Sequence, residues 1–139
     1  LALKFEPIFP GEVALDGAAE IVTFNIEAIG QADAVIANLN PFRGAEPDSG
    51  TVFECGYAYG LGKKVFGYLS DHRDMVTKVK DLSNSNEAIC RDGTMVEDFG
   101  QPLNIMLAIS MEKLYHDVWE AMEAAKVYQD SVFKDKTAL

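Results

Sequence analysis

An open, doubly wound α/β sheet, parallel and covered by helices on both faces, is the fold class this sequence predicts. Three observations predict it. Strand-like and helix-like segments alternate along the chain. Two strand-like segments, AVIANLN (Ala34–Asn40) and KVFGYLS (Lys64–Ser70), are short and almost continuously apolar, as strands buried on both faces of a parallel sheet must be. Glycine or proline punctuates the junctions. The 139 residues suffice for one domain with a real core, and no linker, repeat or low-complexity tract divides them.

Each element follows in order. LKFEPIF (Leu3–Phe9) is patterned like a strand and ends at Pro10-Gly11. In AAEIVTFNIEAIGQA (Ala18–Ala32), Ile21, Phe24, Ile26 and Ile29 recur at roughly helical spacing, with Gly30 near the end. The Ala34–Asn40 strand leads through Pro41–Gly50 into a helix over Thr51–Leu61, which Gly60, Gly62, Lys63 and Lys64 close. After the Lys64–Ser70 strand, Asp71–Gly100 is polar and loop-rich, with a helical turn at Asp74–Lys80. PLNIMLAIS (Pro102–Ser110) reads as a short apolar helix opened by proline, and Lys113–His116 as a last strand. A final helix, Asp117–Gln129, sets Val118, Met122 and Ala125 on a stripe that docks on the sheet. Trp119 is expected in the core or at a subunit interface, and the tail Ser131–Leu139 is expected to fray.

Charge narrows the choice of partner. A net charge of −10 repels phosphate backbones and anionic lipids, so neither nucleic acid nor a membrane is an expected partner. A small neutral or cationic ligand is compatible; a phosphorylated one needs a local cationic clamp. No apolar run approaches the ~20 residues of a membrane span, and no basic-then-apolar leader opens the sequence. Cys55 and Cys90 fit neither a metal spacing nor a disulfide framework, which points to a reducing, cytoplasmic setting.

Chemistry concentrates in PFRGAEPDSGTVFECGYAYG (Pro41–Gly60), where Glu46, Asp48 and Glu54 fall within one loop and the start of a helix. Like charges held close raise one another's pKa, and open α/β sheets bind ligands beyond the carboxyl ends of their strands, where this loop begins. For Glu54, two readings stand. TVFE (Thr51–Glu54) has capping-box spacing, in which a glutamate at the third helical position reaches back to the cap. Alternatively Glu54 is a nucleophile, kept ionised and aimed at a helix N-terminus. Asp48 is either a turn or cap residue or a second carboxylate beside Glu54, the two dividing into acid and nucleophile as in retaining glycoside cleavage.

Other motifs carry less. GLGKK has the wrong glycine spacing for a phosphate loop. His72 and His116 have no partners at metal spacing, Cys55 reads as packed rather than reactive, and there is no serine elbow.

The stretch Ala32–Asp71 resembles the signature region of the nucleoside 2-deoxyribosyltransferase family. Asp48, Gly50, Thr51, Glu54, Gly56 and Ala58 stand in its D-x-G-T-x-x-E-x-G-x-A arrangement, and PLNIML matches its N-x-M segment with Asn104 and Met106. The resemblance implies a flavodoxin-like fold over a single domain spanning residues 1–139. It also implies transfer of a 2-deoxyribosyl group between nucleobases, with 2′-deoxynucleosides and free nucleobases as partners. Glu54 would attack C1′ to form a covalent deoxyribosyl-enzyme, and Asp48 would lie near the sugar and departing base. Asn25, Arg43 and Gly50 would contact substrate. Asn104 and Met106 would complete a neighbouring subunit's site, in a dimer or larger assembly. No metal or redox cofactor is implied.

Three departures from the family pattern matter. Asn25 stands where better-known bacterial members carry an aspartate proposed to protonate the base, which leaves Asp48 or bound water as proton donor. The family opens with a strand, a Gly-Pro turn and a helix that would line the base pocket, and this sequence is expected to begin after that unit. The aromatic C-terminus of some members has no match in KDKTAL. Two rival functions follow. A 2′-deoxynucleoside 5′-phosphate N-hydrolase would need a cation, for which Arg43 is the candidate unless it is salt-bridged to Glu46 or Asp48. A non-catalytic nucleoside-binding protein would use Glu54 only as a cap.

Overall fold

A computed structural model describes residues 6–8 and 17–137. Helix α1 (Ala18–Gln31) leads into strand β1 (Ala34–Asn38), helix α2 (Ser49–Gly60) and strand β2 (Lys64–Tyr68). Helices α3 (Met75–Ser83) and α4 (Ile105–Ser110), strand β3 (Lys113–Tyr115) and helix α5 (Val118–Thr137) follow. The strands form one parallel sheet in the order β1-β2-β3, with Ala34 opposite Lys64 and Phe66 opposite Lys113. The expected α/β alternation is therefore present. The reversal of strand order that a doubly wound sheet contains is not among the described strands. The strand expected over Leu3–Phe9 lies mostly outside the described residues, and residues 6–8 are not in a strand.

Helices cover both faces of the sheet. On one, Ile29, Leu39, Cys55, Leu69, Leu103 and Leu107 bring α1, α2 and α4 into a common core. On the other, Phe66 packs with Ala121 and Ala125 of α5. Leu39, Leu69 and Leu103 are among the largest fully buried side chains, and each contributes about 1.5–3 kcal/mol of transfer free energy. Gly67 makes this packing possible: a Cβ there would stand 2.5 Å from Leu39 Cδ1, so β2 must lack a side chain where Leu39 crosses it.

β2 is the strand buried on both faces, as its apolar run requires. β1 departs from that expectation. It pairs with β2 alone among the described strands, and Ile36 is 36% exposed.

The carboxyl ends of the strands are stitched together, which fixes the loops that would carry a site. Asn40 Oδ1 accepts hydrogen bonds from Ser70 N and Ser70 Oγ, both at 2.9 Å, joining the loops after β1 and β2. His72 Nε2 lies 2.9 Å from the Leu69 carbonyl and 3.1 Å from that of Tyr115. Since both neighbours are acceptors, Nε2 carries the hydrogen. His72 also stacks on His116 at 4.1 Å between centroids, a structural role for both imidazoles.

Several boundaries differ from the sequence reading. α2 starts at Ser49 rather than Thr51, because Asp48 caps it. It ends as expected at its glycines: Gly62 adopts φ +72°, with Lys63 N bonded to the Ala58 carbonyl at 3.0 Å and Gly62 N to that of Tyr59 at 2.9 Å. α3 is a full helix rather than one turn, capped by Asp74 and closed by Asn84 at φ +53°. α4 starts at Ile105, not at Pro102, because Asn104 supplies the cap. α5 continues through Thr137, where the tail was expected to fray; no glycine or proline interrupts it, and Lys126 pairs with Asp130 at 2.9 Å one turn on. Its buried stripe centres on Ala121 and Ala125, with Val118 and Met122 half-buried beside them. Trp119 is 66% exposed and is not a core residue.

Candidate active site

The loop after β1 delivers Asp48 to the first turn of α2. Its Oδ2 accepts hydrogen bonds from Gly50 N at 3.0 Å and Thr51 N at 3.1 Å, which satisfies two of the helix's free donors. Gly50 fits this arrangement because a Cβ there would stand 2.9 Å from the same oxygen and push the carboxylate off the helix end. The third helical position is Thr51, so Glu54 lies a turn further on and has no part in the cap. The capping-box reading of Glu54 is thereby overturned.

Glu54 is half-buried, and its Oε1 accepts a hydrogen bond from Asn25 Nδ2 of α1 at 2.8 Å. No other hydrogen bond to its carboxylate is formed among the described residues. One oxygen is held, and the other is uncommitted. Asn25 Oδ1 is buried without a hydrogen-bond partner among the described residues. Cys55, the next residue along, is fully buried; burial, and secondarily the charge of Glu54, push its thiol up to about 12. It is packed, as its place on the helix suggested.

The three carboxylates of the loop do not form the mutually repelling cluster that their spacing suggested. Asp48 faces helix amides and Glu54 faces Asn25. The Glu46 carboxyl is raised above its ordinary range by local burial, with Lys78 opposing and Glu97 adding to the shift, although the residue as a whole is exposed. Glu46 belongs to a separate cleft of about 760 Å³ whose walls include Arg43, Glu46, Arg91, Phe99 and Asn104. Neither Asp48 nor Glu54 lines that cleft. Arg43 makes no ion pair with Glu46 or Asp48; its guanidinium lies 4.9 Å from the centroid of the Phe42 ring.

Asn104 and Met106 sit on the exposed end of α4. Asn104 Oδ1 accepts from Met106 N at 3.0 Å, and its Nδ2 approaches Glu97 Oε2 at 3.4 Å. Met106 is 79% exposed and Ile109 is 71% exposed. No hydrogen bond joins Asn104 to Asp48 or Glu54 within the chain. The structure thus brings together Asn25 with Glu54, and Gly50 with Asp48. Arg43 and Asn104 share the separate cleft, and Met106 stands on the surface beside it. What the sequence reading missed is that Asn25 meets Glu54 itself, across 29 positions with no local signal to join them.

No group of three or more His, Cys, Asp or Glu side chains suited to a metal ion occurs among the described residues. No described helix is long and apolar enough to cross a membrane.

Fold and site together define an open parallel α/β domain that carries an aspartate-capped helix, with a half-buried glutamate one turn in, beyond the end of a strand. The family described as nucleoside 2-deoxyribosyltransferase matches residues 3–106. The chain belongs to the nucleoside 2-deoxyribosyltransferase family. It is 39% identical to a solved structure, a 2-desoxiribosyltransferase from Leishmania mexicana, with a TM-score of 0.74 over 86% of this chain and 75% of that one. The sheet and its flanking helices accord with a flavodoxin-like fold. No curated protein sequence matches the chain.

Proposed function

We propose that this protein is an enzyme that transfers the 2-deoxyribosyl group of a 2′-deoxynucleoside from one nucleobase to another through a glutamyl intermediate. One observation carries the reading: Glu54, relieved of capping by Asp48, presents a half-buried carboxylate with one oxygen held by Asn25 and the other unbonded. That free oxygen attacks C1′ as the N-glycosidic bond breaks. The bonding pair leaves with the base nitrogen, which is then protonated. The acceptor base nitrogen next attacks C1′, loses its proton and expels the Glu54 carboxylate, so two displacements retain the configuration. Without a 2′-hydroxyl to withdraw electrons, the sugar tolerates the oxocarbenium-like transition state, and a carboxylate close by balances its charge.

Asp48 lies six residues before Glu54 and spends Oδ2 on the cap; Oδ1 is the atom available to a sugar hydroxyl or to a proton bound for the leaving base. Gly50 keeps that corner open, and Arg43 serves the substrate from the loop. Asn104 and Met106 complete the site of a neighbouring copy. Supporting this, Met106 and Ile109 leave α4 with an exposed apolar face, and Asn104 has no bond to Asp48 or Glu54 of its own chain. Single-domain organisation and a cytoplasmic location, with Cys55 and Cys90 both unpaired, belong to the same reading.

A deoxynucleoside incubated with and without an acceptor base tests the proposal. Base exchange that outpaces free-sugar release is expected. Sugar release indifferent to acceptor would instead mean hydrolysis. A specific observation keeps that second reading in view: Arg43 is unpaired with Glu46 and Asp48, and a 5′-phosphate would have to reach it in the neighbouring cleft that Glu54 does not line. A demand for the phosphorylated substrate would decide for it.

A further inference from the structure

The one buried side-chain oxygen or nitrogen without a hydrogen-bond partner among the described residues is Asn25 Oδ1. An orphaned amide oxygen is costly to bury, so something else must fix that amide. The other end of the same side chain supplies the reason. Asn25 Nδ2 donates to Glu54 Oε1 at 2.8 Å, and rotating the amide by half a turn would set two acceptors against each other at that distance. The orphaned oxygen is therefore the consequence of aiming an N–H at the carboxylate.

We propose that Asn25 is the positioning residue for Glu54: its neutral amide holds one carboxylate oxygen so that the other faces the anomeric carbon, without exchanging a proton with it. This rests on Glu54 being the nucleophile. It departs from the contact with substrate expected of Asn25 from its sequence position. A neutral donor is the important choice. An aspartate at the same place would share a proton with Glu54, and the two groups would titrate as a coupled pair. With asparagine, the donor has no proton to share with the attacking carboxylate. The bond also spans α1 and α2, so the nucleophile is held from two elements.

The test is the pH dependence of base exchange in Asn25→Ala and Asn25→Asp. In Asn25→Ala, kcat falls by about 10- to 100-fold while KM changes much less, because orientation rather than binding is lost. In Asn25→Asp, a protonated carboxyl at low pH replaces the amide N–H and retains activity. As pH rises, that proton leaves, two carboxylates face each other, and kcat falls along an alkaline limb that the wild type lacks. Asn25→Asp is isosteric, so it serves even where Asn25→Ala fails to fold. A substrate-contacting Asn25 would raise KM at unchanged kcat. That result, a wild-type pH profile in Asn25→Asp, or an Asn25→Asp kcat above that of the wild type at low pH, which marks proton donation to the base, overturns the inference. Trapping the wild type with a slow 2-fluoro-deoxynucleoside and locating the label by mass spectrometry separates the two levels. A label on Glu54 with kinetically silent Asn25 variants sinks only the positioning role, whereas a label elsewhere sinks the nucleophile assignment and this inference with it.

Discussion

Asp48 Oδ2 accepts the Thr51 amide hydrogen at 3.1 Å, and that bond takes the cap of α2 away from Glu54. Two carboxylates six residues apart thus have different tasks before any substrate arrives. One completes the backbone of a helix. The other has no backbone duty at all, which is the condition for spending it on chemistry.

Glu54→Gln is expected to lose transfer by roughly a thousandfold or more, since a carboxamide is a far poorer nucleophile. Its stability should stay within about 1 kcal/mol of wild type, because the change breaks no cap and makes no cavity. Urea unfolding and chromatographic base exchange on one preparation check both halves. A variant that unfolds easily yet turns over normally would return Glu54 to a structural role.

Asp48 separates into its two roles by choice of substitution. Asparagine caps helices as well as aspartate does, so Asp48→Asn should keep its stability, whereas Asp48→Ala should lose about 1 kcal/mol. If Oδ1 handles the leaving-group proton, both lose activity, by about a hundredfold or more. Wild-type turnover in Asp48→Asn would confine Asp48 to the cap.

Subunit mixing probes the exposed end of α4. Asn104→Ala and Glu54→Ala should each be inactive alone. Combined after dissociation and reassociation, they should recover roughly a quarter of wild-type activity in a dimer, because half the dimers are mixed and each holds one intact site. Recovery is absent if Asn104 serves its own chain.

Thiol chemistry gives a pH prediction. Cys55 is raised from an ordinary 9.0 to about 12, largely by burial, so the folded state holds its proton more tightly than the unfolded chain does. The stability this represents is present below about 9 and is lost as pH rises towards 12. In the native protein at mildly alkaline pH, iodoacetamide should label Cys90, which is half-buried, well before Cys55, with both labelled after unfolding. Peptide mass mapping reads the order; early labelling of Cys55 would contradict its burial.

Much of the fold was legible because its signals are local. Short apolar runs marked β1 and β2, and the Gly60–Gly62 punctuation marked a helix end that the backbone bonds confirm. Boundaries slipped where a side chain took the cap: Asp48 moved the start of α2 by two residues, and Asn104 moved that of α4 past Pro102. The site was legible as a motif but not as geometry. Sequence spacing could not say which carboxylate caps the helix, that Glu46 turns to a different cleft, or that Asn25 reaches Glu54. The last depends on how α1 lies against α2, the second on how the β1–α2 loop lies against α3 and the chain beyond it, and the first on a local choice between two carboxylates that spacing leaves open.

Trp119, the chain's single tryptophan, sits largely in solvent on α5. Its indole is therefore a fluorophore already surrounded by water in the native state, and melting the domain should shift its emission little. Association of copies through that helix should instead move the emission to the blue, making this residue a built-in gauge of assembly rather than of unfolding.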